Sequence, residues 1–222
     1  MATFTSLLTK LLVVVLSLVT MVVPVDVYSA DEICQEIILA DENITQEDGL
    51  VTFDSESDEV GIIFYPGAMV EYTSYVPLLN SLYEQGYDCF LVEMPRNFAF
   101  FGIDYADDII DDNPEIETWV IMGHSLGGAM ASSYAGDNQD QIDYVVVLGA
   151  TIIGDFELEN TLTIYGSLND QEPDYDTNVV VIEGGNHAQF GNYGTQLDDS
   201  TATITWEDQQ AQAVEAIVDL LD

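Results

Sequence analysis

Apolar and polar positions along this chain fall into blocks whose period switches between two and three to four. The runs Val60–Tyr65, Tyr87–Glu93, Thr118–Met122, Tyr144–Leu148, Leu162–Tyr165 and Val179–Glu183 are short and rich in β-branched or aromatic residues. Turn-forming residues bound several of them, as strands buried on both faces require. Between the runs the period lengthens. Val76–Gln85 predicts a helix stopped by Gly86, and Gly127–Ala135 a buried helix of small residues. A last helix begins at the capping pattern Thr205-Trp206-Glu207-Asp208 and sets Ala211, Val214, Val218 and Leu221 on one face. Strands alternating with helices predict an α/β fold, a mostly parallel sheet with helices on both faces. One connection stands out, because only eight residues separate Asp170 from Val179, fewer than a helical crossover between parallel strands needs.

The first thirty residues follow a different pattern. Lys10 precedes an apolar run from Leu11 to Val23 that Pro24 ends, too short for an ordinary membrane span and suited to the core of a signal peptide. Small residues place a cut after Ser29 or Ala30; a retained N-terminal anchor is the alternative. The chain therefore divides into a leader or anchor (1–30), an N-terminal extension with a first strand region (31–59) and the α/β domain (60–222). The expected location is secreted or extracytoplasmic, with no membrane contact beyond such an anchor.

Charge narrows the partners. The 222 residues, 24.4 kDa, suit one α/β domain, and they carry 2 Lys+Arg against 41 Asp+Glu, a net charge of −39. Losing the leader removes Lys10 and Asp26 together and leaves that balance unchanged. No basic patch can form, so nucleic-acid binding is excluded in practice. A mean hydropathy of +0.14 still supplies a core and argues against disorder. Asp104, Asp107, Asp108, Asp111 and Asp112 recur at helical spacings where like charges repel, which predicts surroundings that screen or neutralise them: high salt, divalent cations or acid. Cys34 and Cys89 can pair in an exported protein, or Cys89 can be a small core residue of its strand. Neither they nor the two histidines have zinc spacing, and no cofactor is expected.

The chemistry centres on Gly123-His124-Ser125-Leu126-Gly127-Gly128, which follows a strand and opens a helix. In that context G-x-S-x-G is a tight turn that lifts a serine hydroxyl above the sheet, with the Leu126 N–H aimed at a developing oxyanion. The base is His124 or His187. His124 adjoins Ser125 within the turn, so its ring should point sideways, whereas His187 lies in the glycine-rich loop Gly184-Gly185-Asn186-His187 after the last strand and can reach the hydroxyl. The orienting acid should follow the penultimate strand, where Gly166-Ser167-Leu168-Asn169-Asp170 offers Asp170, with Asp174 and Asp176 as rivals and Asn169 able to hold the ring without charge. A second oxyanion donor should come from Pro66-Gly67-Ala68-Met69, through the amide of Ala68 or Met69. The aromatics of Asn97–Phe101 either line an acyl pocket or fill the core.

Taken together, Phe64-Tyr65-Pro66-Gly67, Leu91–Pro95 with Asn97–Gly102, Gly123–Gly128, Ile164–Ser167 and Glu183–Gly191 resemble the alpha/beta hydrolase fold-5 family, relatives of the dienelactone hydrolases. The likeness runs from about Val60 to Leu221. It implies an α/β-hydrolase fold, a triad of Ser125, His187 and an acid, an oxyanion hole at Leu126 and the Gly67–Met69 turn, and ester hydrolysis without a cofactor. The sequence departs from the family pattern in three places. Ala68 replaces a usual glycine, Glu93 and Arg96 replace residues commonly basic and aromatic, and in strict register the family acid falls on Asn169. The expected activity is that of a secreted carboxylesterase-like serine hydrolase acting on a small ester, neutral or cationic because the negative field disfavours anions. The alternatives are a non-catalytic binding protein of the same fold at the cell surface, and acyl transfer on the same triad.

Overall fold

The computed structural model describes residues 26–55, 57, 59–169 and 173–221. The apolar run assigned to the leader lies outside them, as does Asp170. Eight strands form one sheet in the order β1-β2-β4-β3-β5-β6-β7-β8. These are β1 (Ile44–Glu47), β2 (Leu50–Phe53), β3 (Val60–Tyr65), β4 (Asp88–Val92), β5 (Thr118–His124), β6 (Tyr144–Leu148), β7 (Thr161–Gly166) and β8 (Val179–Ile182). From β4 to β8 every pairing is parallel, and β1 and β2 join as an antiparallel hairpin that continues onto β4. All six strands expected from the sequence are present within a residue or two of their ends. The hairpin falls in the segment read only as an extension and first strand region, and so does helix α1 (Glu32–Ala40).

Helices cover both faces. On one side α1, α2 (Val76–Tyr83) and α5 (Trp206–Leu221) pack Ile38, Leu78, Leu79, Leu82, Ala213 and Ile217 against Ile62, Phe64, Val120 and Met122. On the other, α3 (Tyr105–Asp112) and α4 (Leu126–Asp137) pack Ala106, Ile109, Ala131 and Tyr134 against Ile63, Ile121 and Val145. Each fully buried leucine or isoleucine contributes about 1.5–3 kcal/mol. The α5 cap forms as expected, with Asp208 N–H donating to Thr205 Oγ1 at 3.2 Å. Cys34 and Cys89 do not pair: both are free and buried, and burial pushes the Cys34 thiol up to about 12.

The short link between β7 and β8 joins parallel strands with no helix among its described residues. Tyr175, within this link, ties it to the sheet. Its hydroxyl accepts the Ile152 N–H at 3.0 Å and shares a hydrogen bond with Thr163 Oγ1 at 2.7 Å. The strand order reverses around β3, flanked by β4 and β5, so the C-terminal ends of β3 and β5 open on the crevice where ligands bind in such sheets.

The N-terminal described residues reach this crevice. Tyr28 bridges Val70 in parallel, its N–H donating to Met69 C=O at 2.8 Å and its C=O accepting from Glu71 N–H at 2.9 Å. The Tyr28 hydroxyl accepts the Leu197 N–H at 3.1 Å, and its ring packs on Tyr193. The segment thus ties the turn after β3 to the loop that carries Leu197. A cut after Ser29 or Ala30 would remove it. A chain beginning at Asp26 is therefore expected to melt at least several degrees above one beginning at Asp31 by calorimetry. Three or four lost hydrogen bonds at ~0.5–1.5 kcal/mol each, and ~2–4 °C per kcal/mol for a domain of this size, set the scale.

Candidate active site

The turn from β5 into α4 is built by close approach. A Cβ on Gly127 would lie 2.1 Å from Tyr65 O and 2.4 Å from Pro66 O, so only glycine lets the start of α4 abut the end of β3. Between strand and helix, Ser125 takes φ 53 and ψ −122, a strained conformation for a residue with a side chain. Its N–H donates to Leu148 C=O at 2.9 Å, while its hydroxyl has no hydrogen-bond partner among the described residues. Leu126, the first residue of α4, has an N–H without an intrahelical acceptor at the mouth of the same cavity.

That cavity has a volume of about 480 Å³ and is shared by Ser125, His187 and Asn169. Its apolar lining comes from Leu126, Ala129, Ala150, Ile153 and Leu197, and Gln196, Asp198 and Asp199 add polar side chains to it. Gly149, at φ 55, makes room for the imidazole, since a Cβ there would fall 2.9 Å from His187 Nδ1. Sequence reading did not single out Gly149; the left-handed glycine directly after β6 was the available signal. Ser125 Oγ and His187 are not hydrogen-bonded to each other, although they face one cavity. Such contacts are commonly long until substrate is bound.

His187 is held from several sides. Its Nδ1–H donates to Asn169 Oδ1 at 2.9 Å, which leaves the Nε2 lone pair for a proton. The residue in hydrogen-bond contact with the ring is therefore Asn169, the position that strict register with the family gives. Asp170, favoured on chemical grounds, lies outside the described residues. The His187 and Ala188 N–H groups donate to Asp199 Oδ1 and Oδ2 at 3.3 and 2.8 Å. Behind the loop, Gln209 on α5 accepts the Asn186 N–H at 3.0 Å and donates to Asn186 C=O at 2.8 Å, pairing with the backbone as a strand would. Gln210 donates to Gln189 C=O and Asn192 Oδ1.

A second chain of hydrogen bonds runs under the site. Gly67 N–H donates to the Tyr75 hydroxyl at 3.0 Å, Tyr75 bonds His124 Nδ1 at 2.8 Å, and His124 Nε2 meets His187 C=O at 3.0 Å. A carbonyl only accepts, so His124 carries its proton on Nε2 and Tyr75 donates to Nδ1. His124 is 1% exposed and, through its bond to His187 C=O, braces the loop that carries His187. Burial first, and then the neighbouring His187, hold His124 well below the ordinary imidazole value. Burial also lowers His187, while the Asp199 charge opposes that shift.

Two other expectations are resolved by the geometry. The Met69 N–H donates to Asn97 C=O at 2.9 Å and is not available to an oxyanion; the Ala68 N–H has no partner among the described residues, but neither Ala68 nor Met69 is among the residues that line the cavity. Phe98, Phe100 and Phe101 do not line the cavity. They stack on one another, with the exposed Arg96 guanidinium 5.5 Å from the Phe101 ring centre.

Strand order, nucleophile turn and histidine loop define an α/β-hydrolase. A family model described as the alpha/beta hydrolase family matches residues 61–211, and the chain belongs to that family. Among curated proteins nothing matches it in sequence. Solved structures share the fold at low identity. Est1E from Butyrivibrio proteoclasticus is 13% identical, with 80% of this chain and 98% of that one covered and a TM-score of 0.53. A monoacylglycerol lipase from Paleococcus ferrophilus is 15% identical, covering 72% and 94%, TM-score 0.52. The α/β hydrolase MGS-MChE2, from the sediment metagenome of the Mar Chica lagoon, Morocco, is 14% identical, covering 68% and 91%, TM-score 0.52.

Because the folded state holds His124 neutral, the unfolded chain binds the extra proton below its ordinary pKa of 6.5, and stability falls as pH drops past that value. Each pH unit below it costs up to ~1.4 kcal/mol for this group. In high salt, the melting temperature of the native chain is expected to fall between pH 6.5 and 5, and His124→Asn to remove most of that slope.

Proposed function

We propose that the protein is a serine hydrolase that cleaves a small ester through an acyl-enzyme. The observation that carries this reading is the strained Ser125, which presents its hydroxyl to the cavity that also holds His187, a ring whose Nδ1 proton is engaged by Asn169. In the reaction, His187 Nε2 takes the Ser125 Oγ proton as Oγ bonds to the ester carbonyl. The oxygen's charge is met by the N–H group of Leu126. As the tetrahedral species collapses, the bond to the leaving oxygen breaks and that oxygen receives the proton from Nε2. Water, deprotonated by the same nitrogen, then bonds to the acyl carbon, the bond from that carbon to Ser125 Oγ breaks, and Oγ takes the proton back from Nε2 as the acid leaves.

The cavity suits a short apolar acyl group along Leu126, Ala129, Ala150 and Ile153, with a neutral or cationic leaving group beside Asp198 and Asp199, the charged residues on its lining among the described residues. We further propose export by the N-terminal apolar run and work in a screening medium. A non-catalytic binding role is the second reading. It draws on the amide at Asn169, which orients the ring without stabilising its charged form. A similar fold in a monoacylglycerol lipase is compatible with ester chemistry but does not select the substrate.

Ser125→Ala is expected to cut turnover of short p-nitrophenyl esters at least ~10³-fold with little change in the melting curve. Rapid labelling of the native chain, but not the variant, by a fluorophosphonate is the companion result; a native chain that resists labelling in high salt would favour the binding role.

A further inference from the structure

In a Ser-His-Asp triad one carboxylate does two things: it fixes the imidazole's orientation and tautomer, and it stabilises the imidazolium that forms when the serine proton is taken. Here the side chain on Nδ1 is an amide. Asn169 performs the first task through its 2.9 Å bond and has no charge for the second. The loop between His187 and α5 brings a carboxylate to the backbone of the same residue. Asp199 accepts the backbone N–H of His187 itself and that of Ala188, and it lines the same cavity as His187. We infer that the two tasks are divided, Asn169 orienting His187 and Asp199 supplying the negative charge that stabilises its protonated form. The inference rests on the hydrolase reading above, and it makes Asp199 a positioning residue that acts through His187.

The other groups around the ring do not take this role. His124 stacks against His187 with ring centres 4.6 Å apart and is kept neutral by burial. Tyr75 reaches His187 only through His124. Tyr193, on the Asp199 side, is buried and its hydroxyl is pushed far above the ordinary phenol range, so it too is neutral. Asp198 lines the cavity but makes no hydrogen bond to the His187 loop among the described residues. Asp199 differs from Asp198 in having both oxygens anchored to backbone N–H groups, which fix it in place. Asp170, next to Asn169, lies outside the described residues and enters as a control.

The chain has only two histidines, and one of them stays neutral, so an NMR titration of imidazole Cε1–H in the Ser125→Ala protein reads His187 without any turnover. Asp199→Asn is expected to lower the His187 pKa by on the order of half to one unit, Asn169→Asp to raise it, and Asp198→Asn to move it markedly less. In the active protein, Asp199→Asn should shift the acid limb of kcat/KM to lower pH and lower its plateau about tenfold. Adding Asn169→Asp should restore the plateau. Should Asp199→Asn disturb the loop, seen as a lowered melting temperature, Asn169→Asp alone carries the test: a plateau that does not rise overturns the inference. It is also overturned if Asp170→Asn moves the titration and Asp199→Asn does not, or if Asp198→Asn and Asp199→Asn move it equally, which would mean a diffuse field. Failure of fluorophosphonate labelling in the native chain would instead sink the hydrolase reading and leave the titration to stand alone.

Discussion

A shortage of positive charge governs how this protein holds itself together. With 2 Lys+Arg against 41 acids, carboxylates cannot be neutralised by pairing, and no ion pair joins two described residues. Order in the polar interior has to come from neutral donors and acceptors. Gln209 and Gln210 fasten the histidine loop to α5 with carboxamides, Tyr75 and His124 fasten the turn after β3 to the same loop, and the Tyr65 hydroxyl donates to Ile103 C=O while accepting from Ala106 N–H. Where carboxylates are used, they accept from uncharged groups: Asp88 from Ser55 N–H, Asp143 from Trp119 N–H, Asp107 from the Tyr134 hydroxyl. Such bonds contribute about 1 kcal/mol each and do not weaken in salt as exposed ion pairs do.

The same constraint sets the conditions in which the fold is comfortable. α3 carries Asp107, Asp108, Asp111 and Asp112 with no basic residue in its last turn, so its like-charge neighbours cost ~0.2–0.5 kcal/mol per pair in dilute buffer. Salt removes that cost, because the Debye length falls from ~10 Å at 0.1 M to ~3 Å at 1 M. It does little to a buried amide network. The structural division is therefore sharp: an acidic shell that depends on its medium surrounds a site whose supports do not.

What the sequence could reveal follows from which physics is local. Strands β3 to β8 are legible because a parallel strand covered on both faces must be apolar throughout, and the serine turn because its glycines fall in one short run of sequence, although the contact that forces Gly127 comes from Tyr65 and Pro66 at the end of distant β3. The β1–β2 hairpin is harder to read, since Thr45, Gln46 and Glu47 are exposed and only Ile44, Val51 and Phe53 are buried. The partner of His187 depends on register in a loop, where a shift of one residue exchanges Asn169 for Asp170 and no periodicity fixes the choice. Met69 looked like a donor until Asn97, a residue from another loop, was found to accept its N–H. The supporting roles of Tyr28, Tyr75 and Gln209 depend on contacts between distant parts of the chain.

An amide beside the histidine fits the electrostatic setting better than it first suggests. Asp198 and Asp199 already stand on the lining of a cavity that has no Lys or Arg among its described residues. A third carboxylate at position 169 would add like-charge repulsion in a half-buried site, where charges are poorly screened. An asparagine keeps the hydrogen bond that sets tautomer and direction and avoids that repulsion. It also leaves His187 less basic than a triad carboxylate would make it, so that burial keeps the ring neutral, and able to accept a proton, further into acid. In a chain whose only abundant charge is negative, separating orientation from charge lets the histidine be held firmly without concentrating more acid at the point where a proton must move.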